Sequence, residues 1–176
     1  MTVHLLAPAA VAALESATLT YDEVGATRGA LPTAGYRTLR QVRVLSDGTE
    51  WASVRDALLR WQVPDRAGLR VRASSARIGE GSVGVLSFGW GRVSVRAPVR
   101  VVYLEDQPEH CAFAYGTLPR HPEAGEERFA LDRAPDGRIT FTITAFSRPA
   151  TMMTRVAGPV GRLVQSGMTS RYLRSL

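Results

Sequence analysis

From Leu69 to Phe146 the hydrophobic period of this chain is two, and that single property restricts the fold more than any other. Leu69, Val71 and Ala73 alternate with arginines, and Val83 to Trp90 is a glycine-punctuated apolar run. Val93, Val95, Ala97, Val99, Val101 and Tyr103 then alternate with mostly polar residues. Phe113 and Tyr115 share one face of His110 to Gly116, with small Ala112 and Ala114 on the other. Glu127, Phe129 and Leu131 share a face, and Ile139, Phe141, Ile143 and Ala145 alternate with Thr140, Thr142 and Thr144 after the Pro135-Asp136-Gly137 turn. A period of two places alternate side chains on opposite sides of a strand, and short turns join antiparallel neighbours. The pattern predicts an antiparallel meander with one apolar face, burying Val95, Val99, Val101, Phe129, Phe141 and Ile143.

A sheet with one apolar face must have it covered, and the flanks supply helical segments. Ala9 to Ala17 reads as a short helix, and Thr20 to Tyr36, with Gly25, Gly29, Pro32 and Gly35, as a loop or arm. Tyr36 to Leu45 is a first strand, closed by Ser46-Asp47-Gly48. Thr49 is placed to cap a helix over Glu50 to Trp61, with Trp51, Val54, Leu58 and Trp61 at helical spacing and an end before Pro64. From Ala150 the helical period returns: Met153, Val156, Val160, Leu163, Val164, Gly167 and Met168 form a stripe, and Arg155 and Arg162 share a basic flank. Gly158-Pro159 should break or sharply bend that helix, because proline removes a donor and crowds the preceding turn. The order is strand, helix, five or six antiparallel strands and a C-terminal helix. It predicts one α+β domain over residues 1–176, a curved antiparallel sheet wrapped around a long C-terminal helix, with residues 1–35 as an N-terminal helix and arm. This helix-grip order resembles the START and Bet v 1-like superfamily of ligand-binding proteins.

The resemblance extends to longer strings. LTYDEVGATRG (Leu19 to Gly29), FAYGTLPRHPEAGEERF (Phe113 to Phe129), TAFSRPA (Thr144 to Ala150), GPVGRLVQ and RYLRSL look like an uncharacterised family of bacteria and plants, catalogued as a domain of unknown function. The resemblance spans nearly the whole chain. It implies a fold and carries no chemistry with it.

The net charge is +6 and all 22 basic residues are arginine, with lysine and asparagine absent. Such usage reads most simply as that of a GC-rich genome, which weakens any functional reading of the arginine excess. Many arginines alternate with apolar residues, as a solvated strand face does, and aromatic content of 7% offers no base-stacking platform. Nucleic acid is therefore not the expected partner. The single Cys111 excludes an intrachain disulfide and fits a reducing compartment. The apolar run Leu5 to Leu14 contains Pro8, lacks preceding basic residues and is too short to span a bilayer. A cytoplasmic protein without integral membrane insertion is expected, and a peripheral membrane contact stays open, as does the oligomeric state.

His121, Glu123, Glu126 and Glu127 are the densest set of acid, base or ligand groups. His121 has no second histidine nearby, so neither a metal nor another cofactor is called for, and His121-Pro122 reads most simply as shaping a hairpin connection. Glu127 shares strand parity with Phe129 and Leu131, which directs its carboxylate inward. There its pKa would rise or an arginine would pair with it. Tyr115 at the end of the preceding strand could reach the same space, and Arg148 could bind an anion at a cavity mouth or pair with Glu126 or Glu127. The ligand-binding candidates are therefore Tyr115, His121, Glu123, Glu127 and Arg148, with no catalytic residue assigned. Ser147 could cap the C-terminal helix. Cys111 and the two helix tryptophans read as core. Three functions fit: a protein that binds an apolar or amphipathic small molecule between sheet and helix, a cyclase, dehydratase or isomerase using Tyr115 and Glu127, and an interaction protein whose arginines dock on an acidic partner or membrane.

Overall fold

A computed structural model describes residues 3–90, 93–150 and 168–176. Its centre is an open, curved sheet of eight strands. In chain order the elements are β1 (His4–Leu5), α1 (Pro8–Glu15), a 3-10 turn (Ala26–Arg28), β2 (Arg37–Val44), α2 (Trp51–Leu59) and α3 (Gln62–Arg66). Strands β3 (Arg70–Ala73), β4 (Val83–Trp90), β5 (Val93–Asp106), β6 (His110–Thr117), β7 (Glu123–Arg133) and β8 (Ile139–Pro149) follow. The spatial order is β1-β3-β4-β5-β6-β7-β8-β2. Strands β3 to β8 form the expected meander, β2 joins antiparallel to β8, and the two-residue β1 adds in parallel to β3. Residues 168–173 are helical. The architecture is a helix-grip-type α+β fold. The expected break at Gly158-Pro159, the stripe from Met153 to Gly167 and the basic pair Arg155 and Arg162 lie outside the described residues.

One face of the sheet carries the core. Phe113, Phe129, Phe141, Ile143, Val99 and Val101 are essentially solvent-free and pack with Leu58, Leu59 and Trp61 from the helices and Tyr172 from the C-terminal end. Five of the six residues expected to be buried are. Val95 is 54% exposed, because it lies near the end of a hairpin that outruns the strands beside it. A register shift between Val101 and Tyr103 inserts an extra residue, so Tyr103 opposes Ala114 instead of an inward residue. This bulge turns Tyr103 to the outer face, contrary to the strict alternation of the sequence.

One local expectation is corrected. Thr49 does not cap α2; its hydroxyl bonds to the Ser46 carbonyl and closes the preceding turn. The helix expected to end before Pro64 does so, since α2 stops at Leu59, and a second short helix, α3, follows it. The chain turns at Trp61, whose φ is 61°, and Pro64 sits in the first turn of α3, where a missing N–H costs nothing. A left-handed tryptophan costs about 1–2 kcal/mol. Complete burial of the ring against Phe113 and a bond from its Nε1 to the Ser75 carbonyl at 3.2 Å hold it there.

Candidate functional site

Tyr115 and Glu127 are directly opposed partners on β6 and β7, on the inner face. The Tyr115 hydroxyl donates to Glu127 Oε2 at 2.5 Å. Their row across the sheet continues with Val101 on β5, Ala145 on β8 and Leu39 on β2, all apolar. The next row holds Phe113 and Phe129, stacked at 5.3 Å between ring centroids, and Tyr172 meets Phe129 edge-on at the same separation. The Tyr172 hydroxyl is near enough to Tyr115 for the two to interact. One carboxyl and two phenols thus gather inside an aromatic wall. Burial lifts the Glu127 carboxyl to about 7, with the Tyr115 bond acting weakly in the other direction. Burial and the neighbouring carboxylate push Tyr115 well above the usual phenol range, and Tyr172 is raised for the same reasons. This set can hold a proton near neutrality and can both donate to and accept from a polar group.

The other sequence candidates do not join it. His121 is fixed in the β6–β7 connection, where its Nδ1 lies 2.9 and 3.0 Å from the Glu123 carbonyl and amide. Burial lowers its pKa to about 4, so the ring is neutral and shapes the connection. Glu123 is raised by burial, offset by a bond from Ser147 and by Arg37, and its Oε2 is buried without a hydrogen-bond partner. Ser147 lies within β8. Arg148 opposes Ala124, one residue out of phase with the Glu127–Ala145 pair, so it points to the outer face. It is exposed, and its guanidinium lies 4.8 Å from the Tyr36 ring centroid. The expected pair with Glu126 or Glu127 is not made.

Glu126 is the residue that sequence reasoning undervalued. It is 2% exposed on the outer face, beneath the N-terminal arm. Oε2 accepts from the Tyr21 hydroxyl at 2.8 Å and from the Gly25 amide at 2.7 Å, while Oε1 accepts from the Thr27 amide at 3.1 Å and the Thr27 hydroxyl. Two of the strings that marked the family, LTYDEVGATRG and the GEERF of the central stretch, are therefore the donor and acceptor halves of one buried clasp. Gly116, beside it, leaves room for Tyr21: a Cβ there would strike the Tyr21 hydroxyl and come within 2.9 Å of Leu19 Cδ2. Tyr172, inside RYLRSL, was also missed, although it contacts the Tyr115–Glu127 pair.

Elsewhere on the outer face, small residues make room for a charged roof. Ala112 and Ala130 are fully buried directly opposite each other. Nearby, Glu105 holds Arg28 at 2.9 Å, Arg128 at 3.1 Å and His110 Nε2 at 3.1 Å, and His110 Nδ1 reaches Asp132 at 2.7 Å. Two open clefts, of about 470 and 520 Å³, lie between the β2–α2 and β7–β8 turns and between α1 and residues 74–82. Neither is lined by Tyr115 or Glu127. No helix among the described residues is long and apolar enough to cross a membrane.

Comparison with solved structures places the same fold in proteins of very different sequence. A hypothetical protein, jhp0584, from Helicobacter pylori superimposes with a TM-score of 0.60 at 8% identity, covering 79% of this chain and 84% of that one. The major latex-like protein 151 of Panax ginseng gives 0.51 at 12% identity over 80% and 97%. The ginseng protein and Ara h 8.0201, which superimposes at 0.50 with 11% identity, are Bet v 1-like proteins. In sequence, a UPF0548 protein of Deinococcus radiodurans is 42% identical over 87 residues, which is 49% of this chain and 43% of that protein. The UPF0548 protein At2g17695 of Arabidopsis thaliana is 34% identical over 77 residues, 40% and 38% of the two. The matched stretch thus spans less than half of each relative's length. A family profile described as "Domain of unknown function (DUF1990)" matches residues 20–175, taking in the arm, the clasp and the Tyr115–Glu127–Tyr172 group. The chain belongs to the DUF1990 family.

Proposed function

We propose that residues 1–176 act as one helix-grip domain that binds an apolar or amphipathic small molecule between the inner sheet face and the C-terminal segment, in a cytoplasmic setting. Glu127, Tyr115 and Tyr172 would orient its polar group. The observation that carries this reading is the 2.5 Å Tyr115–Glu127 bond set among Phe113, Phe129 and Tyr172. Ligand sites commonly combine apolar walls with a few convergent polar groups. A carboxyl held so far inside, with a phenol as its partner, is costly for folding alone. His121, Glu123 and Arg148 are supports of the β6–β7 and β8 ends in this reading, outside the ligand's reach. The test is native mass spectrometry of the chain after incubation with lipid and metabolite extracts, for the wild type and for Glu127→Gln. A bound species that is retained by the wild type and lost from the variant, with an unchanged fold, supports the reading. A wild type that retains nothing from any extract sinks it.

One observation favours a second reading. A carboxyl raised to about 7 is half ionised at neutral pH, the condition in which a general acid or base is most effective. An enzyme of the cyclase, dehydratase or isomerase type would use Glu127 to move a proton and Tyr115 to polarise a carbonyl. Chemical conversion of the species captured above, abolished by Glu127→Gln, separates this from simple binding.

A further inference from the structure

The β4–β5 hairpin outruns the rest of the sheet. On one side β3 pairs with β4 only from Gly84 to Ser87, and on the other β6 begins to pair with β5 only at Val99. Beyond these limits, residues 88–90 and 93–97 form a two-stranded ribbon, and such ribbons are marginal in water unless something packs on them. In this ribbon Phe88 and Val95 are a cross-strand pair, 40% and 54% exposed, on the side that continues the inner face. On the opposite side Arg70, Ser87 and Arg96 lie in one cross-strand row, with Arg72 in the adjacent row. All three of these arginines are exposed. Arg171, also exposed, lies 5.5 Å from the Phe88 ring centroid.

Part of the chain's positive charge is neutralised locally. Arg28, Arg55, Arg77, Arg128 and Arg133 all pair with carboxylates. Among the described residues Arg70, Arg72, Arg96 and Arg171 pair with none, and Arg70 only donates to the Gly89 carbonyl at 3.1 Å. A projecting ribbon therefore combines an exposed apolar pair with arginines that pair with no carboxylate among the described residues.

We infer that the projecting β4–β5 ribbon docks on an acidic lipid bilayer, with Phe88 and Val95 entering the headgroup–acyl boundary and Arg70, Arg96 and Arg171 meeting anionic headgroups. Apolar side chains and basic neighbours on one protruding edge are what interfacial binding requires. Nucleic acid would engage the arginines but gives exposed Val95 no counterpart. The inference stands independently of any ligand on the inner face.

Sedimentation with phosphatidylcholine vesicles, with and without phosphatidylserine, tests it using the full chain. Binding should require phosphatidylserine and weaken with salt. Phe88→Ser with Val95→Ser should reduce it about tenfold, and Arg70→Gln with Arg96→Gln should reduce it by about fivefold per charge. An environment-sensitive dye on Ser94→Cys reads insertion in an otherwise wild-type chain, since Cys111 is fully buried. Its emission should shift to the blue on acidic vesicles. The inference is overturned by equal binding to neutral and acidic vesicles or by absence of binding. Unchanged binding of the serine variant, a dye that stays in water on bound vesicles, or tighter binding to duplex DNA than to vesicles would each overturn it as well.

Discussion

Glu126 and Glu127 are consecutive residues of one strand, and the sheet sends them to opposite faces with opposite provision. Glu126 receives four hydrogen bonds from Tyr21, Gly25 and Thr27, and so closes the N-terminal arm onto the sheet. Among the described residues Glu127 receives one, from a phenol, in an aromatic wall, and its proton is held to about pH 7. The same side chain is a structural clasp on one side and an under-satisfied polar group on the other. The comparison locates the candidate function, because a buried group whose bonding is complete has nothing left to offer a ligand.

The largest expected effect is on the clasp. Glu126→Gln keeps the shape but turns one acceptor into an NH2 group facing donors that then lose their partner. Leaving buried donors unsatisfied should cost about 3–5 kcal/mol, or roughly 10 °C in Tm for a chain of this size. Thermal denaturation measures it, and trypsin cleavage at Arg28 reports whether the arm has come loose. A loss below about 1 kcal/mol would mean that Glu126 is no better used than Glu127, and the contrast would collapse.

Glu127→Gln should act the other way. An unfolded chain releases this proton near pH 4.5, whereas the folded chain holds it to about 7. Between those values the folded state binds more protons, so stability falls as pH rises, and above pH 7 the whole penalty is present. The glutamine variant should match the wild type near pH 5 and exceed it at pH 8, by at most about 3 kcal/mol. His121 runs in the opposite sense: its depressed pKa contributes stability that is lost as pH falls from 6.5 through about 4. The informative quantity is therefore the difference between variant and wild type in parallel melts, where His121 cancels. A glutamine variant that is less stable at every pH would show Glu127 to be a second clasp.

Most of this contrast was legible in the sequence only from one side. Strand parity placed Glu127 inward with Phe129 and Leu131 and brought Tyr115 to it, because a two-residue period fixes the face once one apolar member is known. The same parity made Glu126 an outward residue, and outward normally means solvated. What buries it is an arm about a hundred positions earlier in the chain, folded back through Gly25 and Thr27, and no periodicity encodes such a return. Arg148 failed for a related reason. Proximity across a hairpin was read correctly, but one residue of phase puts its side chain on the other face.

A smaller effect is expected from Gly116→Ala. The added Cβ meets the Tyr21 hydroxyl, the donor to Glu126 Oε2, and the Leu19 side chain. Tyr21 must tilt, so one of the four clasp bonds weakens while the inner face keeps its packing. A loss of about 2 kcal/mol is expected, with trypsin sensitivity at Arg28 raised and the pH dependence assigned to Glu127 unchanged. If the alanine alters that pH dependence instead, the two faces are coupled through the strand and cannot be assigned separate roles.

The smallest effect tests how far the clasp extends. Tyr103 is on the outer face only because of the bulge after Val101. Its hydroxyl lies 2.7 Å from Thr27 Oγ1, and Arg28 lies 3.8 Å from its ring centroid. Tyr103→Phe keeps the ring, the burial and the contact with Arg28, and removes one hydroxyl from the group behind Glu126. Thr27 can still donate to the carboxylate, so a loss of about 1 kcal/mol is expected, roughly 2–4 °C in Tm. Differential scanning calorimetry resolves such a change. A loss as large as that of Glu126→Gln would mean that the hydroxyls and the carboxylate act as one cooperative network reaching β5. The outer face would then be the more finely tuned of the two, and a search for function would have to begin there.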